Sequence, residues 1–193
     1  MLKKFYFTFL FLLTAFLVNS QVVINEYSAS NFDSHLDNYG EYEDWVELYN
    51  TTNSDIDLNG WSLTDKPSNL SKWSFPGSFI VSANSVAIVY CSGLNELVGG
   101  VAHTNFKITQ TKAGEVFVLS DAGGNIVDSA RAVPAQKSHS RGRDINGGAT
   151  WSVFTTATPN TNNSGAMLEY APLPIFSQSS GYYSAPFDLT LSC

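Results

Sequence analysis

Short runs of β-branched, aromatic and aliphatic residues recur along this chain, each closed by a turn signal. That punctuation restricts the fold more than any other feature of the sequence. The runs are Val22–Tyr27 (VVINEY), Asp44–Tyr49 (DWVELY), Trp61–Thr64, Lys72–Phe75, Val86–Cys91, Glu115–Ser120 (EVFVLS), Ile126–Ser129 and Thr150–Phe154. Such residues suit a pleated, half-buried surface. No stretch of ten or more residues carries the apolar period of an amphipathic helix. About eight strands in roughly 135 residues predict an all-β sandwich.

The turns carry their own chemistry. Ala122-Gly123-Gly124-Asn125 divides EVFVLSD from IVDSA and predicts a hairpin, because Gly and Asn tolerate positive φ. Asn59-Gly60 precedes a Trp-led strand. VAIVY and VFVL are apolar on both faces, which suits strands near the middle of a sheet.

The first 20 residues read as an export signal. Lys3 and Lys4 precede an apolar run, Phe5 to Val18, too short to span a bilayer comfortably, and Val18 and Ser20 set up cleavage before Gln21. Removing them takes the net charge from -7 to about -9, since two of the 10 Lys+Arg go and all 17 Asp+Glu stay. That balance argues against a nucleic-acid binder, which needs a basic footprint. Only Cys91 and Cys193 are present, too few for a disulfide scaffold or a thiolate zinc site, and the sequence leaves open whether Cys91 is paired. Within VAIVYC, Cys91 reads as a small buried hydrophobe.

Charge is segregated. Between Phe5 and Asp65 there is no Lys or Arg, while Arg131, Lys137, Arg141 and Arg143 are grouped later. From Thr155 the run TTATPNTNNSG loses apolar periodicity and reads as the exit from a domain covering residues 21–165. Residues 166–173 read as a linker. Residues 174–193 (IFSQSSGYYSAPFDLTLSC after Pro174) read as the truncated start of a second β domain, the whole being the N-terminal part of a larger protein.

The stretches VVINEYSASN (22–31), EDWVELYNTT (43–52), DLNGWSLTD (57–65), NFKITQTKAGEVFVLSDAGGNIVDS (105–129) and HSRGRDINGGATWSVFTTATPNTNN (139–163) together resemble the lamin tail domain family in its bacterial secreted form. The resemblance spans about residues 22–165 and implies an immunoglobulin-like β-sandwich. PIFSQSSGYYSAPFDLTLS (174–192) is similar to the opening of the small Ig-like domain named after the chitobiase/β-hexosaminidase C-terminus. That order of domains is seen in secreted proteins with a CotH-like kinase region further on, a region absent here.

The residues offer little machinery for turnover. His35, His103 and His139 form no close metal-ligand spacing, and no GxSxG elbow, P-loop or GxGxxG is present. No two acids are singled out as a catalytic pair, so no catalytic or cofactor-binding residue is assigned. Trp45, Trp61, Trp73 and Trp151 read as core aromatics rather than a sugar platform. Glu47, among aromatics, is expected to accept hydrogen bonds from a neighbouring backbone or hydroxyl, with Asn25 and Glu26 in similar structural roles. Calcium is the one metal considered. Asp33, Asp37, Asn38, Glu41 and Glu43 lie in one loop with Gly40 at its bend, without the EF-hand spacing, so the loop reads first as an acidic surface. Asn50, Asn69 and Asn162 head N-x-S/T sequons. The expectation is a secreted, non-catalytic binding or spacer module at the cell surface. Its loops 31–43 and 92–106 would be presented to a protein or glycan partner, or to neighbouring domains of the same polypeptide. The alternative is the accessory front end of an extracellular enzyme, a CotH-like kinase or a polysaccharide hydrolase.

Overall fold

The structure is a computed structural model that describes residues 21–110 and 115–193. The expected export signal, residues 1–20, lies outside the described residues. The chain runs through β1 (Val22–Ser28), β2 (Trp45–Asn50), β3 (Ile56–Asp57), β4 (Ser62–Thr64), β5 (Trp73–Ser74), β6 (Ile80–Val81), β7 (Val86–Tyr90) and β8 (Glu96–Val98). It continues through β9 (Val101–His103), β10 (Val116–Ser120), β11 (Ile126–Arg131), β12 (Ser140–Arg143), β13 (Trp151–Phe154), β14 (Ile175–Phe176) and β15 (Leu191–Ser192). No helix occurs among the described residues. The expected all-β, immunoglobulin-like sandwich is the fold observed.

One sheet has seven strands in the order β13-β12-β1-β2-β7-β9-β8, and the facing sheet has four in the order β11-β10-β4-β5. VAIVY and VFVL are interior strands, β7 between β2 and β9 and β10 between β11 and β4. The β10–β11 hairpin turns where the sequence predicted. Asp121 Oδ1 accepts from the Gly123 and Asn125 amides at 2.9 and 2.8 Å, and Gly124 takes φ +80°.

Alternation explains the core. Val46 and Leu48 of β2 point inward with Val22, Ile24 and Tyr27 of β1, and meet Leu63, Phe117 and Leu119 from the other sheet. Ile24 and Tyr27 are three positions apart, an odd spacing that a regular strand cannot aim at one face. A β-bulge resolves it: Ile24 pairs with Leu48 and Glu26 with Glu47, so Asn25 and Glu26 together oppose Glu47. Both are thereby turned away from the core.

The outer face of the large sheet is therefore polar at its centre, yet buried. Residues 157–163 return across it. Ala157 packs against the cluster of Trp45, Ile88 and Tyr90, and Thr158 and Asn160 bond Glu26 and Glu47. The run read as a domain exit is thus a cover over this face. Beyond it, Val153 and Met167 exchange both backbone hydrogen bonds at 2.8 Å, continuing the sheet past β13. Arg141 grips both carboxylate oxygens of Glu169 at 2.9 Å, and Tyr170 stacks on His139 at 5.8 Å. The hairpin β14–β15 is largely exposed.

Candidate functional site

Register places three chain segments at one end of the large sheet. Ser28 pairs with Trp45, and Trp45 with Tyr90. The chain leaving β1, entering β2 and leaving β7 therefore emerges on the same side. Loop 31–43 and the segment 92–106 meet there, as neighbours in space rather than in sequence. The second segment contains two short strands: β8 and β9 turn at Gly99 and Gly100, with φ +61° and +83°, and β9 joins β7 in parallel.

Side chains fasten the two segments. His103 is fully buried. Its Nε2 lies 2.7 Å from Asn38 Oδ1, and its Nδ1 lies 3.0 Å from Ser92 Oγ. Because the amide oxygen can only accept, Nε2 carries a proton, and in the neutral imidazole Nδ1 then accepts from Ser92. The Tyr90 ring lies nearly parallel to His35 (6.0 Å between centroids) and to His103 (5.3 Å), and its hydroxyl, 3.0 Å from His35 Nε2, donates to Leu36 O at 3.1 Å. Burial lowers the His35 pKa and pushes the Tyr90 phenol up to about 12. Tyr39 donates to Glu96 Oε1 at 2.5 Å, a second bond between the two segments.

Ser92, His103 and Asn38 have the residue types of a nucleophile, a base and its orienter. Their setting gives them another role. Ser92 is 6% exposed, and its oxygen also accepts from the Leu94 amide at 3.2 Å. With the hydroxyl proton committed to the imidazole and the oxygen to a backbone N–H, the group is a latch holding the second segment to the first.

The acids of loop 31–43 go to separate partners. Asp37 Oδ1 accepts from the Tyr39 and Glu41 amides at 2.8 and 2.9 Å, and Gly40 at φ +82° makes the bend between them. Asp33 accepts from Ser138 and pairs with Lys137 at 3.3 Å. Glu43 holds Lys107 Nζ with both oxygens at 3.0 and 2.9 Å. Among the described residues no three His, Cys, Asp or Glu side chains converge as a metal group.

Beside the latch lies a cleft of about 340 Å³, lined by Phe32, Tyr42, Glu43, Asp44, Cys91 and Lys107 among others. Phe32 and Tyr42 are 61% and 45% exposed. Asp44 accepts from the Asn31 amide at 2.9 Å, and burial, helped by Glu43 and Glu115, pushes its carboxyl up to about 6. Cys91 is a buried free thiol with its pKa raised well above the usual range by burial.

The other residues singled out by sequence have structural roles. Trp45 and Trp73 are buried, and Trp61 and Trp151 pack against the core. Glu47 accepts from Asn25 Nδ2 at 3.0 Å and from the Asn160 amide at 2.7 Å. Glu26 accepts from Ser140 and Thr158. Of the sequons, Asn50 is buried and donates to Ser54 O and Val81 O, while Asn69 and Asn162 are exposed. Arg143 pairs with Asp128 at 2.9 Å and Arg141 with Glu169, so these two guanidinium groups of the basic cluster are engaged. Sequence reasoning located the two segments but missed Phe32, Tyr42 and Lys107. Aromatic residues within a charged loop that lacks apolar periodicity were the available signal.

A family model described as Lamin Tail Domain matches residues 18–133, more than half of the chain. The sheet continues past that match through β12 and β13. No curated protein matches the chain.

Proposed function

This chain belongs to the lamin tail domain family, a family of non-catalytic immunoglobulin-like modules, and from that premise we propose that it is an exported module that engages a partner at the cell surface through the loop end of its sandwich. The observation carrying this reading is the convergence of loop 31–43 and the β8–β9 segment, fastened by His103–Asn38 and Tyr39–Glu96. A rigid sandwich supplies the frame, and the latched loops supply an exposed surface with Phe32, Leu36, Tyr39, Tyr42 and Leu94 at 61, 45, 52, 45 and 53% exposure. Export is supported by the sequence of residues 1–20. Its check is the N-terminus of the secreted protein, expected at Gln21.

Partner binding is tested with the exported chain on a glycan array and on intact cells of the producing strain. Binding that Tyr39→Ala/Tyr42→Ala abolishes, with the fold retained, supports a binding module. Absence of binding to any glycan or cell surface favours a spacer.

A second reading has its own observation. Leu173, Ile175, Phe176, Tyr182, Leu189 and Leu191 are all more than half exposed. Such apolar surface favours a neighbouring domain packed against this hairpin, as in the front end of an extracellular enzyme. A catalytic domain encoded beyond Cys193 would support it.

A further inference from the structure

We propose that the cleft between Phe32, Tyr42 and Asp44 receives a cationic side chain, a lysine or arginine presented by a protein partner. The inference rests on the reading of the loop end as a binding surface and names the chemistry of its ligand.

Charge is the first argument. Asp44 interacts with the carboxylates of Glu43 and Glu115 and with the ammonium of Lys107. The chain as a whole carries a net charge of -7. Lys107 is already bound by both oxygens of Glu43. Asp44 lines the cleft with one oxygen bound to the Asn31 amide and its charge poorly hydrated, and a cation entering there would compensate it.

The walls are the second argument. Phe32 and Tyr42 offer ring faces that attract cations. The molecule already uses Phe32 in this way, with Lys137 Nζ 5.4 Å from the ring centroid. Ala29 and Cys91 contribute apolar lining, which suits the methylene stem of a long basic side chain. The volume, about 340 Å³, is at the small end for ligand clefts and matches one side chain better than an extended sugar polymer.

The test titrates the exported chain with N-acetyl-lysine amide, N-acetyl-arginine amide and methyl glucoside, following backbone amide shifts by NMR. The two cations are expected to move the Asn31, Tyr42 and Lys107 signals, and the glucoside to leave them in place. Asp44→Asn keeps an acceptor for the Asn31 amide, and is expected to weaken cation binding about tenfold. Phe32→Ala removes an exposed ring and is expected to cost about threefold. Lys107→Met acts in the opposite direction: deleting the ammonium frees Glu43 and tightens cation binding, an effect a purely structural lysine would not produce. Retention of the wild-type pattern of dispersed amides controls for folding in each variant. The proposal is overturned if the glucoside binds as well as the cations, if Asp44→Asn binds them unchanged, or if the shifts map elsewhere. Should the cations fail while Tyr39→Ala/Tyr42→Ala still abolishes surface binding, the cleft assignment falls and the loop-end reading stands. Should both fail, both readings fall.

Discussion

Glu26 and Glu47 oppose each other across β1 and β2, both fully buried, and each accepts a backbone N–H from the same covering segment: Thr158 at 2.9 Å for Glu26 and Asn160 at 2.7 Å for Glu47. Two acids on the outer face of a sheet thus anchor the residues that bury that face. Deleting one takes an acceptor from the backbone N–H of the covering segment in a buried setting. Glu47→Ala is expected to destabilise the fold by about 2–4 kcal/mol, because the Asn160 amide loses its acceptor, Asn25 Nδ2 loses one of its three, and a buried cavity is left. Urea unfolding would measure this. A loss below about 0.5 kcal/mol would show that water replaces the carboxylate and that the segment is not anchored there.

The same pair gives stability a pH dependence. Burial, with Glu26 close by, pushes Glu47 up to about 8 despite donation from Asn25 and Asn160, and burial raises Glu26 as well. In the unfolded chain such carboxyls titrate near 4.5. The folded state therefore keeps a proton that the unfolded chain has released. The resulting stabilisation is complete below the unfolded value and is lost as pH rises through the folded one. Unfolding midpoints measured from pH 4.5 to pH 8.5 are expected to fall, and Glu47→Gln is expected to flatten that slope. A wild-type curve rising through the window would contradict the assignment.

Gly142 in β12 pairs with Glu26 of β1. A Cβ at that position would lie 2.9 Å from Glu26 Cγ and 3.0 Å from Asn25 O. The backbone oxygen cannot swing aside. Gly142→Ala is expected to cost about 1–3 kcal/mol by overpacking, read as a lowered thermal midpoint. An unchanged midpoint would mean that β1 and β12 can separate without penalty.

The two cysteines should differ sharply in reactivity. Cys91 is buried with a raised pKa, whereas Cys193 is exposed. A thiol reagent at pH 7.5 is expected to modify one cysteine in the native protein and two in denaturant. Fast native labelling of Cys91 would mean that the cleft above it opens to the interior.

How much of this was legible depended on whether a residue's environment is local. β1, β2, β7, β10 and β11 were visible because their apolar residues must cover a sheet face, and period and turn chemistry record that requirement in the sequence. β12 (SRGR) was not. Its burial depends on a glycine beneath Glu26 and on guanidinium groups whose acids, Asp128 and Glu169, lie 15 and 28 residues away. The covering role of residues 157–163 was hidden for the same reason. Thr158 and Asn160 find their carboxylates 132 and 113 residues earlier, and a Thr/Asn-rich run looks alike whether solvent or a buried acid satisfies its N–H groups. At the loop end, the two segments could be named from the sequence. The pairings His103–Asn38 and Tyr39–Glu96 follow only from the strand register that brings them together.

The contact of residues 167–170 with β12 and β13 determines how the molecule would bear tension. A pull applied beyond Tyr170 meets the bidentate Arg141–Glu169 grip and the Tyr170–His139 stack first, and next the two backbone hydrogen bonds between Met167 and Val153. These fastenings must yield before load reaches the cover over Glu26 and Glu47. Tension entering from that side would thus be borne by these outlying contacts before the core.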